Sequence, residues 1–583
     1  MSNDLGLDRS GNGNNWTVNN ITYADQMLDS PTNNFPTWNP LSSIVLPTLS
    51  EGNLKNGGEN NKAMAGTFGV STGKWYWEIN VLNNSQVAPY IGVTKFSMEN
   101  DPDASPNLSS TSGRSVYRFK STPTYKNFTA TSYADDSAHG LANYGILGLA
   151  LDLDNGTLKY YVNNTLYHTD STIPSDGTTI YPFLTGTYAG GSGWNSAVSN
   201  FGQDSSFAGN KTAQGNQDGN SIGDFYYTPP NLFLSLCTSN LLDVDVVPSK
   251  NFNTVAYTGT GSNQVVTGVG FQPDFLWLKN RSLGYGHKLF DVLRGLGSAN
   301  PGSLSSNASD AEGTFNYINA VSNDGFTTVS QQYSTNNPGS AIVAWNWKAN
   351  GSGSSNTAGS INSTVSVNND AGFSIVSYTG NGTAGATVGH GLSKAPEMWI
   401  IKNRDASGDW VVWHKDLGNQ TKNLYLDVDA AVQTEPPPPG IATIPSNTLV
   451  SLGTFTSYNA NTQKMIMYAF HSVDGYSKIA TYTGNGSADG PFVFTGFRPA
   501  FVMTKSTAAG DWTLHDSVRD INNPLFNELN ANTVGAENTG DADMDFTSNG
   551  FKIRRASGQF NANNATVTYL AFAETPFKYS NAR

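Results

Sequence analysis

Three short stretches place a histidine close to an aspartate: HKLFD at 287–291, WHKD at 413–416 and LHD at 514–516. Imidazole beside carboxylate is the raw material of acid–base pairs and of metal sites, so His287, His414 and His515 are where chemistry is sought first. No Ser or Cys nucleophile motif accompanies them, and one histidine per stretch does not close a metal site unless chains converge on an axis. They read as fillers of partly buried polar slots. Glycoside hydrolysis needs two carboxylates roughly 5–9.5 Å apart on one face. Glu78 stands between Trp77 and Ile79 without such a partner, the two-carboxylate signature E-x-D-x-x-E is missing, and Glu78 reads as structural. Asp152-Leu153-Asp154-Asn155-Gly156 alternates oxygen ligands as calcium loops do, but the Glu that closes such a loop is absent. The expectation is a protein without catalytic residues, metal or cofactor.

Recognition is the other chemistry these residue types allow. A Trp or Tyr ring stacks on the apolar face of a sugar while Asn and Asp bind its hydroxyls. Trp194 in AGGSGWNSA, Trp410 in ASGDW and Trp512 in AAGDW lie in Gly-, Ser- and Asp-rich loops, and they are the glycan-binding candidates.

The elements that must position such loops are strands. The 583 residues exceed one hydrophobic core and imply several domains. Only 13% are charged, 11% are aromatic and 60 are Gly, which favours short strands and tight turns over long helices. The formal net charge of −13 with no basic cluster argues against nucleic-acid binding. Residues 1–20 show no basic region followed by an apolar stretch, and no window approaches ~18 apolar residues, so neither a secretion signal nor a membrane span is expected. The single Cys237 forms no internal disulfide. Residues 1–45 are Asn- and Pro-rich coil with isolated anchors at Trp16, Phe35 and Trp38, which predicts an attachment arm ordered by a neighbouring chain.

From about Lys74, aromatic and β-branched runs alternate with turn residues. Leu149, Leu151 and Leu153, then Leu158, Tyr160 and Val162, alternate on either side of Asn155-Gly156, which predicts a hairpin with one buried face and a two-residue turn. GKWYWEINV (73–81), PYIGVTKF (89–96), GILGLALDLDNGTLKYYVNNTLY (145–167) and SNFGQ (199–203) follow in the order of the SPRY family's motifs. Residues 60–210 therefore resemble that family, and the resemblance implies a concanavalin-like antiparallel sandwich, bounded here at 46–224 and followed by a connector, 225–250.

Beyond it the chain repeats. NTVAYTGTG (253–261), FSIVSYTGNG (373–382) and SKIATYTGNG (477–486) are each followed by a Gly/Pro turn and an apolar strand ending in a basic residue. The separations Tyr257 to Pro273, Tyr378 to Pro396 and Tyr482 to Pro499 are nearly constant, so three units of one fold are expected: 251–349, 372–475 and 476–583. The Gly/Ser-rich segment 350–371 reads as a flexible linker. The fold class is all-β.

The repeats and the closing AFAETPFKYSNAR resemble domains that accompany SPRY or concanavalin-like modules in tail-fibre and other virion proteins of marine bacteriophages. That resemblance implies a non-enzymatic virion protein, made in the host cytoplasm. Its arm would meet other virion proteins, its outer domains would bind a host-surface glycan or receptor, and it would form a homo-oligomer, with a trimer favoured. A capsid decoration or head-fibre protein is the alternative, and a polysaccharide depolymerase a weaker one.

Overall fold

The computed structural model describes residues 5–8, 10–20, 27–30, 33–40, 48–57, 63–82, 89–95, 112–118, 124–135, 145–185, 196–243, 246–435 and 443–579. Within them the chain is all-β, its α-helices being single turns at Tyr333–Asn336 and Thr456–Asn459. None of these helices is long and apolar enough to cross a membrane. The chain divides into two compact units, Met1–Leu242 and Asp243–Arg583.

The first unit contains an eight-stranded and a six-stranded sheet. Lys74–Val81 lies between Ile146–Asp152 and Ala197–Asn200 in the former, and Tyr90–Thr94 pairs with Tyr181–Thr185 and Arg114–Arg118 in the latter. Tyr160 joins the two sheets: its hydroxyl meets Ser115 Oγ at 3.0 Å and its ring lies 5.6 Å from that of Tyr117. Leu149, Leu151, Leu158, Tyr160 and Val162 are all buried.

The hairpin turn is longer than its Asn-Gly pair predicts. Asp152 pairs with Thr157, leaving four residues in the loop. Asp152 holds that loop by accepting from Asn155 N at 3.0 Å and Asn155 Nδ2 at 2.9 Å, while also pairing with Lys74. Those contacts occupy the carboxylate that a calcium reading needs.

Two segments at the ends of this unit depart from expectation. Phe35 and Trp38 of the predicted arm are buried in the unit itself, and Trp38 Nε1 donates to Ser199 Oγ at 3.0 Å. Large aromatics spaced through polar coil can thus belong to their own sandwich, which accounts for Phe35 and Trp38, whereas the third expected anchor, Trp16, is 81% exposed. Much of the predicted connector is also internal: Leu234–Ser235 pairs in parallel with Trp75 and Tyr76, and Phe225, Phe233, Leu236 and Cys237 are buried.

In the second unit three sheets, of four, eight and five strands, contain one common order of four strands. Phe252–Thr258, Ala341–Trp347, Phe275–Asn280 and Lys288–Asp291 recur as Phe373–Thr379, Lys464–Phe470, Met398–Asn403 and Val411–His414. They recur again as Ser477–Thr483, Thr566–Pro576, Phe497–Ser506 and Thr513–Asp516. Tyr257, Tyr378 and Tyr482 pair with Ile342, Met465 and Val567 at equivalent registers. Each hydroxyl donates to a carbonyl, of Thr335, Tyr458 and Phe560 respectively, at 2.6–2.7 Å.

Alternation along the central strands builds two kinds of core. Leu276 and Leu278, Trp399 and Ile401, and Val502 face the core within their own repeat. Phe275 and Trp277, Met398 and Ile400, and Phe501 and Met503 face one core shared by all three. The shared core leaves an all-apolar cavity of about 10 Å³, no larger than the roughly 10–15 Å³ one water needs.

The Gly/Ser segment is not a flexible linker. Ser354–Asn356 and Ser363–Asn368 form a hairpin that extends the second repeat's sheet beside Phe373–Thr379. Val365 is buried and Ser363 Oγ donates to Gly389 O at 2.9 Å. Alternating Ser and Val suffices for an edge strand once a sheet is there to receive it.

Candidate functional site

Trp410 and Trp512 are 0% and 2% exposed and are not available to a glycan; Trp194 lies outside the described residues. Trp410 Nε1 donates to Ser305 O of the first repeat at 2.9 Å, and Trp512 Nε1 to Tyr425 O of the second at 2.7 Å. Sequence reasoning missed this because the loops that carry them face a neighbouring repeat rather than solvent. His287 holds the same register position in the first repeat, and its Nε2 meets Asn530 O of the third at 3.1 Å.

The three histidines therefore do not correspond. His287 matches Trp410 and Trp512, His414 matches Asp291 and Asp516, and His515 matches Phe290 and Trp413. Burial lowers His287 well below the usual imidazole range and His414 to about 3, so both are neutral packing residues.

Three buried lysines close the same junctions. Lys279 Nζ donates to Val534 O at 3.2 Å, Lys402 Nζ to Ser309 O at 3.1 Å and Lys505 Nζ to Asp429 O at 3.3 Å. Each reaches the repeat its neighbouring ring reaches, so the contacts run first to third, third to second and second to first. This is a ring of head-to-tail contacts closed inside one chain.

Glu78, in the first unit, is a clasp. Its oxygens accept from Tyr226 N and Tyr227 N, both at 2.8 Å, from Tyr76 OH at 3.2 Å and from Asn200 Nδ2 at 3.3 Å. Burial raises its pKa to about 7 against those hydrogen bonds.

Among the described residues the surface offers one nearly parallel aromatic pair that sequence reasoning missed. Tyr285 and Tyr333 stack with centroids 6.0 Å apart and planes 15° from parallel. Tyr333 is 56% exposed, and Leu283 and Val534 are also exposed. Asn280 positions both loops: its Nδ2 donates to Tyr333 O at 2.9 Å, and its Oδ1 accepts from Ser282 N and Leu283 N at 3.0 Å. Asn403 makes the same contacts in the second repeat, to Thr456 O and from Asp405 N and Ala406 N. There the tyrosine positions hold Gly408 and Thr456, and in the third repeat Gly510 and Gly558. The scaffold is common to the first two repeats, whereas the ring pair belongs to the first alone. Aligning the repeats is the signal that finds it.

A buried polar cluster lies in the third repeat. His515 Nε2 is 3.0 Å from Asp543 Oδ2, Arg555 Nη2 is 3.2 Å from Glu528 Oε2, and ligand atoms of His515, Glu528 and Asp543 all lie within 4.8 Å of one another. Burial raises the Glu528 carboxyl above its usual range.

Residues 247–576 match the family model described as Domain of unknown function (DUF7483). Among solved structures the chain is similar to the TRIM65 PSpry domain, at 15% identity and a TM-score of 0.23, over 28% of this chain and 90% of that one. It is also similar to stonustoxin, at 20% identity and a TM-score of 0.22, over 28% of this chain and 26% of that one. No curated protein matches it.

Proposed function

The chain belongs to the family described as Domain of unknown function (DUF7483), and we propose that it is a non-enzymatic structural protein of a phage particle that binds a host-surface glycan. The observation that carries the binding half is the Tyr285–Tyr333 pair, whose exposed Tyr333 is anchored by Asn280 on a scaffold that the second repeat shares without these rings. The Tyr333 ring, more than half exposed and backed by the nearly parallel Tyr285, presents the apolar face on which a pyranose stacks. The particle location, as a tail fibre or similar appendage, is supported by the resemblance of the repeats to virion proteins.

The pair occurs once per chain, so a shallow sugar site gains avidity only when several chains act together, by ~10²–10⁴ where geometry allows. The repeats spend their junction faces on one another, which leaves other faces for a homo-oligomer. Binding of the full chain to polysaccharide from host envelopes tests the reading. Wild type is expected to bind and Tyr285→Ala/Tyr333→Ala to lose at least about tenfold, each stacked ring being worth ~0.5–1.5 kcal/mol beyond its buried area. Equal binding by both proteins overturns the assignment of the site, and release of reducing sugar by wild type overturns the non-enzymatic half. Absence of the chain from purified particles by mass spectrometry overturns the location.

A further inference from the structure

We propose that the third repeat contains a site for a divalent transition metal, built from His515, Glu528 and Asp543, with Arg555 as the resident cation that the metal displaces. The fold itself provides a control. His515 occupies a core position that the first two repeats fill with Phe290 and Trp413, so packing alone calls for an aromatic there. The third repeat instead buries an imidazole against two carboxylates, with His515 0%, Asp543 1% and Glu528 4% exposed. Buried ionisable groups are costly unless paired.

Arg555 supplies the pairing and fits badly. Its Nε lies 2.9 Å from Asp543 Oδ1, yet neither atom completes an aligned hydrogen bond, and His515 Nδ1 also lacks a partner. One imidazole nitrogen and two carboxylate oxygens within 4.8 Å match the mixed donor set of zinc, cobalt or manganese, whereas calcium favours all-oxygen sites. An exit for the guanidinium exists. The Arg555 side chain is 23% exposed and already pairs with Asp541, which is itself exposed. Swinging outward keeps that contact while freeing Glu528 and Asp543, and the metal then takes the place of the His515–Asp543 hydrogen bond. Two carboxylates then neutralise the divalent ion.

The test uses the full chain, dialysed against chelator and titrated with Zn²⁺ and separately with Co²⁺. One equivalent of either metal is expected, with visible absorption from bound Co²⁺ marking a nitrogen-containing protein site. His515→Phe, which installs the first repeat's residue, is expected to fold and to weaken binding at least tenfold. Glu528→Gln removes one charged donor and does likewise. Arg555→Ala removes the competitor and is expected to tighten binding, a response that adventitious surface binding does not give. The proposal is overturned if neither wild type nor Arg555→Ala binds stoichiometrically, or if His515→Phe and Glu528→Gln both bind as wild type does.

Discussion

Glu312 of the first repeat accepts from Arg404 of the second through both Nε and Nη2, at 2.9 and 2.8 Å. Arg294 joins Glu312 at 3.3 Å and pairs with Asp291 at 2.5 Å, and Asp291 also accepts from Tyr468 OH at 2.7 Å. The junction between first and third repeats repeats the set with Glu537, Arg281, Arg519, Asp516 and the indole N–H of Trp345. At the remaining junction the register substitutes Val432, Thr507, Leu417, His414 and Leu570 for all five members. The ionic set is present as a whole or absent as a whole, as expected when a half-removed cluster leaves charge buried without a partner.

Arg294→Leu should accordingly destabilise the second unit by about 3–5 kcal/mol, because Asp291 keeps a buried charge. Adding Asp291→His, Glu312→Val and Arg404→Thr, the residues of the apolar junction, should recover most of that loss, since it leaves neither Asp291 nor Arg404 charged without a partner. Urea midpoints of the single and quadruple variants decide the matter: a quadruple variant no more stable than Arg294→Leu refutes the coupling.

Trp512 wedges the third repeat against the second, so Trp512→Ala should cost about 3–5 kcal/mol, through the lost volume and the unsatisfied Tyr425 carbonyl. Trp512→His, the first repeat's residue at this register, should cost clearly less because the ring nitrogen can still reach that carbonyl. Glycan binding per folded molecule should be unchanged in both. A loss of binding with intact folding would restore Trp512 as a contact.

Much of this architecture is legible in the sequence because local signals carry it. Tyr-Thr-Gly recurs with its turn, and Tyr257, Tyr378 and Tyr482 are placed by it. Leu151 and Tyr160 are found inside from alternation alone. The junctions are not legible, since nothing near Trp410 says that its loop meets Ser305 of another repeat. Ser363–Asn368 is composed like a linker and becomes a strand only because a sheet edge receives it. His515 invites pairing with adjacent Asp516, yet it meets Asp543, whose separation in sequence follows no motif.

The Glu78 clasp sets a pH dependence for the first unit. Its pKa is raised from 4.5 to about 7, so between these values the folded state holds a proton that the unfolded chain has released. The contribution is fully present below about 4.5 and is lost as pH rises through about 7. In calorimetry of the full chain, the first unit's transition should shift downward between pH 5 and 8. Glu78→Gln, neutral throughout, should flatten that shift. An unchanged shift in the variant would assign it to other groups.

The buried lysines act with the opposite sign on the second unit. Burial lowers Lys279, Lys402 and Lys505 from 10.5 to about 8. Above about 8 the folded state has released protons that the unfolded chain retains until about 10.5, so stability should rise with pH in this window. The gain is bounded above: burial also raises Tyr257, Tyr378 and Tyr482, and above about pH 10 the unfolded chain ionises tyrosines that the fold keeps neutral, which lowers stability. Denaturant midpoints of the second unit should therefore climb between pH 7.5 and 9.5 and then turn over. Burial lowers Lys288 and Lys478 as well, so Lys402→Met removes one of several titrating groups and should reduce the climb without abolishing it, whatever its own stability, because a slope counts protons rather than contacts. A midpoint that falls across this range in wild type, or an unchanged slope in Lys402→Met, would show that the lysines do not control it.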